Sequence, residues 1–182
     1  MVLRKVIMQD LDQIIALENI GFSPEEAATR EALKLRIEQI QETFIVAEKN
    51  DEVIGYINGP VIKERYISDD LFKNVSTNNS EGGYISVLRS CCSTKLSRSG
   101  YCRSLTETIL KLLLSNHHRH GVTLTCRESL ISFYEKYGYR NEGVSESCHG
   151  GIKWYNLVKN IKRMMRCKYG SCLCSRRMFM GC

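Results

Sequence analysis

Between Tyr84 and Cys126 the chain runs from a strand-like segment (YISVLRSCC) through a helical period to a second strand (GVTLTC), and that order leaves few architectures open. The helical stretch, Tyr101–Ser115, repeats apolar residues at Leu105, Ile109, Leu112 and Leu113. Strand, helix and strand in succession make a crossover, the unit from which sheets covered by helices are built. The fold class expected is therefore α/β.

The rest of the chain adds to the same sheet. Val2–Met8 reads as a first strand, and Asp10 is placed to cap a short helix carrying Leu11, Ile14, Ile15 and Leu17. Ser23-Pro24-Glu25-Glu26 has the pattern of a second helix start, with Ser23 as cap, Pro24 at the first helical position and Glu26 completing a capping box; the helix should run to about Gln39. Thr43–Glu48 and Val53–Val61 are strand-like runs joined by a short polar connection, hence an antiparallel hairpin. Lys63–Gly83 reads as a long loop with one helical turn near Asp70–Lys73. Leu130–Tyr137 reads as a helix ending at Gly138, and Ile152–Val158 as a last strand.

Composition narrows the function classes. With 182 residues, 43% hydrophobic, the chain suits one domain with a real core. It has no apolar run of about 18 residues and no secretory pattern in Met1–Asp10, so no membrane role and a cytoplasmic location are expected. The net charge of +6 is local: Cys148–Cys182 holds eight Lys or Arg and no Asp or Glu, while the remainder is slightly acidic. A basic tail of this kind reads as a solvated appendage, and nucleic-acid binding is not expected. Seven of the nine cysteines lie in two segments, Cys91, Cys92 and Cys102, then Cys167, Cys172, Cys174 and Cys182. Without a secretory signal their default state is reduced thiol. The tail lacks a paired Cys-x-x-Cys, and adjacent His117, His118 and His120 cannot all converge on one ion, so no metal is expected.

Leu130–Tyr139 (LISFYEKYGY) has an aromatic Tyr on a helix, three residues, then Gly and an aromatic residue. An amphipathic helix with an aromatic core stripe and a glycine C-cap reads the same way. Together with Gly21–Thr29 (GFSPEEAAT), Glu142–Ser147, His149-Gly150-Gly151 and the element order, however, the string resembles GNAT N-acetyltransferases, in particular the bacterial branch related to arylalkylamine N-acetyltransferases. The resemblance spans about residues 3–158. It implies a GNAT fold over residues 1–160, with a central mixed, mostly antiparallel sheet flanked by helices. Residues 161–182 form a Cys-rich tail expected to be disordered.

The resemblance also implies acetyl-CoA as co-substrate and a small primary amine, arylalkylamine-like or polyamine-like, as acceptor; monomer and homodimer both stay open. Tyr134 is the implied general acid. The implied cofactor contacts are the backbone at Ser90, Cys91 and Cys92, the loop Ser97, Arg98, Ser99, Gly100, Tyr101 and Cys102, and Tyr134 itself. Histidines that relay the amine's proton in arylalkylamine enzymes fall here at Ser86 and Leu88, which leaves His149 or a carboxylate, Glu25 or Glu26, as substitute; the two glutamates also suit a cationic acceptor.

One segment departs from the family pattern. The loop that should receive the pyrophosphate on helix-start amides reads Ser97–Cys102, with Ser97 in place of Gln or Arg and Cys102 in place of a small residue. Read one nucleotide downstream, with suitable synonymous codons, Cys91–Arg103 encodes Val-Val-Ala-Pro-Asn-Tyr-Gln-Gly-Arg-Gly-Ile-Ala-Ala, the expected motif in register. Residues 89–120 thus read as bounded by compensating frameshifts, and a catalytically inactive GNAT-fold protein is the alternative to an enzyme. An inward-facing Arg89 would also carry a desolvation penalty that threatens folding.

Overall fold

The computed structural model describes residues 1–92, 119–148 and 151–161. Its strands are β1 (Val2–Lys5), β2 (Ile45–Lys49), β3 (Glu52–Asn58), β4 (Val61–Ile62), β5 (Tyr84–Val87), β6 (Arg89–Cys92), β7 (Gly121–Cys126), β8 (Arg140–Val144) and β9 (Tyr155–Asn160). They pair as β1-β2-β3-β6 and as β4-β5-β7-β9-β8, and only β5 with β7 is parallel. This is the mixed, mostly antiparallel arrangement expected.

The β2–β3 hairpin turns at Asn50 (φ 53°) and Asp51 (φ 62°), short polar residues that tolerate the left-handed region the tight turn requires. Between β3 and β4 the chain passes very close to β5. A Cβ on Gly59 would lie 1.6 Å from the Ser86 carbonyl oxygen, so this crossing admits only glycine.

Tyr84–Cys92, expected as one strand, is two. β5 pairs with β7 up to Val87↔Leu124; β6 instead pairs with β3, from Asn58↔Arg89 to Gly55↔Cys92. The switch falls on Leu88, whose amide donates to the Asn58 carbonyl at 3.0 Å. Two further departures concern the last strands. Arg140–Val144 is a polar edge strand that alternation of apolar residues does not reveal, and the final strand lies at Tyr155–Asn160 rather than Ile152–Val158.

Helix α1 (Leu11–Gly21) forms as expected, but Asp10 does not cap it. Its carboxylate reaches back to the Ile7 amide at 2.9 Å and takes a bidentate bond from Arg4 at 2.7 and 2.8 Å. Helix α2 (Arg30–Gln39) starts at Thr29, whose hydroxyl accepts from the Ala32 amide at 3.2 Å, and not at Ser23. The Ser23 capping box does not form, because the Glu26 amide bonds to the Ser23 carbonyl at 3.0 Å and not to its hydroxyl. Ser23 donates its hydroxyl to Glu26 at 3.0 Å, and the Ala28 amide is drawn to the Glu18 carboxylate at 2.7 Å. A helical turn, α3 (Asp70–Lys73), interrupts the long loop where expected, and α4 (Ile131–Glu135) lies inside the expected Leu130–Tyr137.

The two faces of the sheet carry different cores. One packs Val122, Leu124, Cys126, Leu157 and Tyr139 with α4; the other packs Leu11, Ile14, Leu33, Ile37 and Phe44 from α1, α2 and the sheet. On the second face lies a buried ionic cluster. Arg89, 5% exposed, donates from Nε to the Glu18 carboxylate at 2.8 Å, and to the carbonyls of Leu88 at 3.0 Å and of Glu26. Glu18, fully buried, also accepts from the Tyr56 hydroxyl and the Ala28 amide. The guanidinium stands 4.9 Å from the Phe22 ring centre and 5.1 Å from that of Phe72. The penalty anticipated for an inward Arg89 is thus offset by a counter-charge, carbonyls and ring faces.

The helix expected at Tyr101–Ser115, residues His117 and His118, and the tail beyond Ile161 lie outside the described residues. Among the described residues, no helix is long and apolar enough to cross a membrane and no cluster of three or more potential metal ligands occurs.

Replacing Arg89 by leucine would leave the buried Glu18 carboxyl without its partner cation, and is expected to cost about 3–5 kcal/mol in urea unfolding. The double variant Glu18→Gln/Arg89→Leu should recover most of that loss. A single-variant cost below about 1 kcal/mol would show that the pair does not hold this region.

Candidate active site

A parallel pair that ends while both chains continue must open a gap. Beyond Val87↔Leu124, β6 turns to β3, and the Thr125–Cys126 end of β7 stays with β9. The two strands part into a wedge. One edge of β6 is bonded to β3, and its other edge meets no strand among the described residues. The wedge is therefore bordered on that side by the backbone of β6.

On one face of the wedge stands α4. Gly138 (φ 81°) closes the helix by a 2.9 Å bond from its amide to the Glu135 carbonyl, and the Tyr139 amide returns to the Tyr134 carbonyl at 3.3 Å. This closure packs Tyr134 against the Leu124–Cys126 core, edge-on to Tyr139 at 5.5 Å and to Phe133 at 5.2 Å. Burial pushes the Tyr134 phenol up to about 12, with neighbouring Cys126 adding to the effect, and burial likewise pushes the Cys126 thiol up to about 12. Both hold their protons at neutral pH. At that pH the phenol has a hydrogen to donate, and the Cys126 thiol, not being a thiolate, is a poor nucleophile.

The opposite face is polar and ionic. Arg36, 1% exposed, donates to the Phe72 carbonyl at 2.8 Å; burial first, and then the Arg89 charge, lower its pKa to about 10, with Glu18 opposing. Glu26 is buried and tied on both oxygens, to Arg127 at 2.7 Å and to the Ser23 hydroxyl at 3.0 Å. Burial alone would raise its carboxyl, but Arg127 and Ser23 outweigh that and hold it below the ordinary range. This ion pair links the α1–α2 connection to the residue after β7. It therefore ties together two segments that flank the wedge.

The chain matches the family model described as an acetyltransferase (GNAT) domain over residues 18–161. It belongs to the GNAT acetyltransferase family. A search of curated protein sequences returns no match. Among solved structures, the GphF GNAT-like decarboxylase bound to isobutyryl-CoA superposes with a TM-score of 0.73 at 14% identity, over 88% of this chain and 99% of that one. Arabidopsis thaliana Naa50, in complex with the bisubstrate analogue CoA-Ac-MVNAL, gives 0.63 at 17% identity over 88% and 98%. The ribosomal-protein-S18-alanine N-acetyltransferase from Escherichia coli gives 0.66 at 11% identity over 92% and 98%. At these identities the likeness speaks for the GNAT fold alone.

In the GNAT frame, the expected site residues divide into three groups. Ser90, Cys91, Cys92 and Tyr134 border the wedge. Cys91 points away from it, its thiol donating to the Leu17 carbonyl at 3.3 Å, so its side chain packs α1 and only its backbone faces the gap. Glu26 lies on the polar face, while Glu25 is exposed and bonded to nothing identified at the site. Ser97, Arg98, Ser99, Gly100, Tyr101, Cys102 and His149 lie outside the described residues. Sequence reasoning missed Glu18, Arg36 and Arg127. Glu18 and Arg36 fall on apolar helix faces, Glu18 one residue after Leu17 and Arg36 three after Leu33, and a charge at such a position is the signal of a buried ionic partner.

The lowered Glu26 carboxyl contributes stability that is present above its unfolded value and is lost as pH falls through its folded one. In Arg127→Gln the Glu26 carboxyl should titrate at higher pH than in the parent, by carbon-detected NMR of the side-chain carboxyl. An unshifted titration would show that Arg127 does not hold it.

Proposed function

We propose that this GNAT protein transfers the acetyl group of acetyl-CoA to the primary amine of a small molecule. The observation that carries the reading is a half-buried Tyr134, its phenol protonated at neutral pH, beside a wedge whose β6 side meets no strand among the described residues. The residues present fit the co-substrate. Backbone groups at Ser90, Cys91 and Cys92 suit the amides of its pantetheine arm; the loop Ser97–Cys102, which the resemblance assigns to its pyrophosphate, lies outside the described residues. When bound, it supplies a thioester whose carbonyl carbon accepts the amine.

Tyr134 then serves the departing sulfur. A phenol with a pKa near 12 keeps its hydrogen through the whole range in which an alkylamine, ordinarily near ~10.4, loses its own. Neither Ser86 nor Leu88 can take the proton from the incoming amine: Ser86 is fully buried with its hydroxyl donated to the Pro60 carbonyl at 2.7 Å, and Leu88 packs with Ile62, Ile67 and Phe72. Water at the polar face, with His149 or Glu26, is left for that task. A small acceptor is favoured over a peptide because Ser86, Thr123 and Asn156 on this face are enclosed rather than set along an open groove. The arylalkylamine-like branch remains the finer assignment, on the Glu142–Ser147 and His149–Gly151 motifs; homodimer formation is left to sedimentation analysis.

Calorimetric titration of acetyl-CoA into folded protein tests the reading. Saturable micromolar binding is expected, and a folded protein that ignores acetyl-CoA would make the chain an inactive member of its family. Tyr134→Phe should lower kcat about 10²-fold with the acetyl-CoA affinity unchanged. The pH–rate profile should rise with amine deprotonation and show no Tyr134-dependent descent below about pH 10, because the phenol loses its proton only as pH passes its raised pKa. A descending limb near pH 8 that disappears in Tyr134→Phe would contradict the assignment.

A further inference from the structure

Strand alternation places Leu124 and Leu157 on the Tyr134 side of the sheet, and so puts Thr123, Thr125 and Asn156 on the opposite face. Ser86 joins them, because Val87 packs on the Tyr134 side and Ser86 lies directly beside Thr123 in the β5–β7 register. Asn156 stands opposite Thr125, the residue of β7 at the mouth of the wedge. Side chains directly paired across strands lie about 5 Å apart and diagonal ones about 7–8 Å, so Ser86, Thr123 and Asn156 form one short polar row beside the wedge.

The row is buried and unsatisfied. Ser86 is 0%, Thr123 1% and Asn156 6% exposed, and neither the Thr123 hydroxyl oxygen nor the Asn156 Oδ1 has a hydrogen-bond partner. A buried polar group without a partner costs about 1–3 kcal/mol, and two adjacent ones mark a place completed by something else. The chemistry of the row is one-sided. Ser86 has spent its hydrogen on the Pro60 carbonyl, so it can only accept; Asn156 Oδ1 can only accept; Thr123 can accept as well.

Resting on the acetyltransfer reading above, we infer that Ser86, Thr123 and Asn156 form the cradle that receives the N–H groups of the acceptor's primary amine. Three neutral oxygens match the hydrogens of an ammonium or amine, and a tertiary amine, with at most one hydrogen, cannot satisfy them. Neutral acceptors also hold the nitrogen without the strong stabilisation of its charged form that a carboxylate would give, which leaves the nitrogen easier to deprotonate for attack. The cradle therefore selects primary amines, and Thr123 and Asn156 are its specificity-determining members.

The test is calorimetry with three probes: acetyl-CoA, 2-phenylethylamine and N,N-dimethyl-2-phenylethylamine. The parent should bind the primary amine at least about tenfold more tightly than its dimethyl analogue, one charge-assisted hydrogen bond corresponding to about tenfold or more. Thr123→Val and Asn156→Leu should each weaken the primary amine about tenfold, leave acetyl-CoA affinity unchanged, and melt at the parent's Tm or above, since each removes an unpaired buried polar atom. Asn156→Asp, which keeps only acceptors, should retain the amine. A parent that takes acetyl-CoA while its variants bind the amine as it does, or while it fails to distinguish the two amines, overturns the cradle alone; a lowered Tm with unchanged amine binding would identify a bound water as the occupant. A parent that prefers the primary amine but ignores acetyl-CoA overturns the acetyltransfer reading and upholds the cradle, and one that binds neither overturns both.

Discussion

Arg89 can be buried only if a negative charge is buried with it, and the geometry of the whole α1 face follows from that requirement. Glu18 meets it from the penultimate turn of α1. Glu18 is itself held in place by Arg89, the Tyr56 hydroxyl and the Ala28 amide. The last bond has a cost in local structure: an amide that would otherwise help start a helix at Ser23 is drawn to a carboxylate ten residues back. The helix begins at Thr29 instead. One ion pair thus fixes β6 against α1 and shapes the connection between α1 and α2.

The same residue marks the point at which the strand exchanges partners. Each strand has two hydrogen-bonding edges, and between Val87 and Arg89 the chain gives up β7 for β3. The wedge this leaves is a consequence of pairing, not of any side chain. That is why substitutions along β6 need not abolish it, and why Ser90, Cys91 and Cys92 can replace apolar residues while still offering a backbone edge. What the side chains decide is which face they stabilise, and Cys91 shows this by bonding to Leu17 on the α1 side.

Elements with a strong period were legible in the sequence: α1, the β2–β3 hairpin, β7, α4 and the turn at Asp70–Lys73. The boundaries that were misread share a cause. Asp10, Ser23 and Glu26 are all residues whose short polar side chains serve several partners, and which partner wins depends on groups distant in sequence: Arg4 for Asp10, Arg127 for Glu26. Edge strand β8 escaped because both its faces are largely solvated, so Arg140–Val144 has no apolar alternation to read. For the site, the motif around Tyr134 was visible because aromatic spacing is local. The row Ser86, Thr123 and Asn156 was not, since three small polar residues on three strands become neighbours only through register.

The two faces of the wedge differ in a way that bears on how Tyr134 can act. A phenol near 12 would give its proton to a thiolate of ordinary pKa, ~8.5, uphill by about 5 kcal/mol. Complete transfer before the carbon–sulfur bond weakens is therefore disfavoured, and on the proposed reaction Tyr134 works first as a hydrogen-bond donor to sulfur as negative charge develops there. Burial strengthens such a bond as much as it raises the pKa, because both effects come from removing water. The apolar packing of Tyr134 against Tyr139, Phe133 and Leu124 keeps the hydrogen on the phenol until sulfur can use it, and the polar row across the sheet is free to handle the nitrogen. On that proposal the acid and the amine-binding row belong to opposite faces of the sheet, one apolar and one polar.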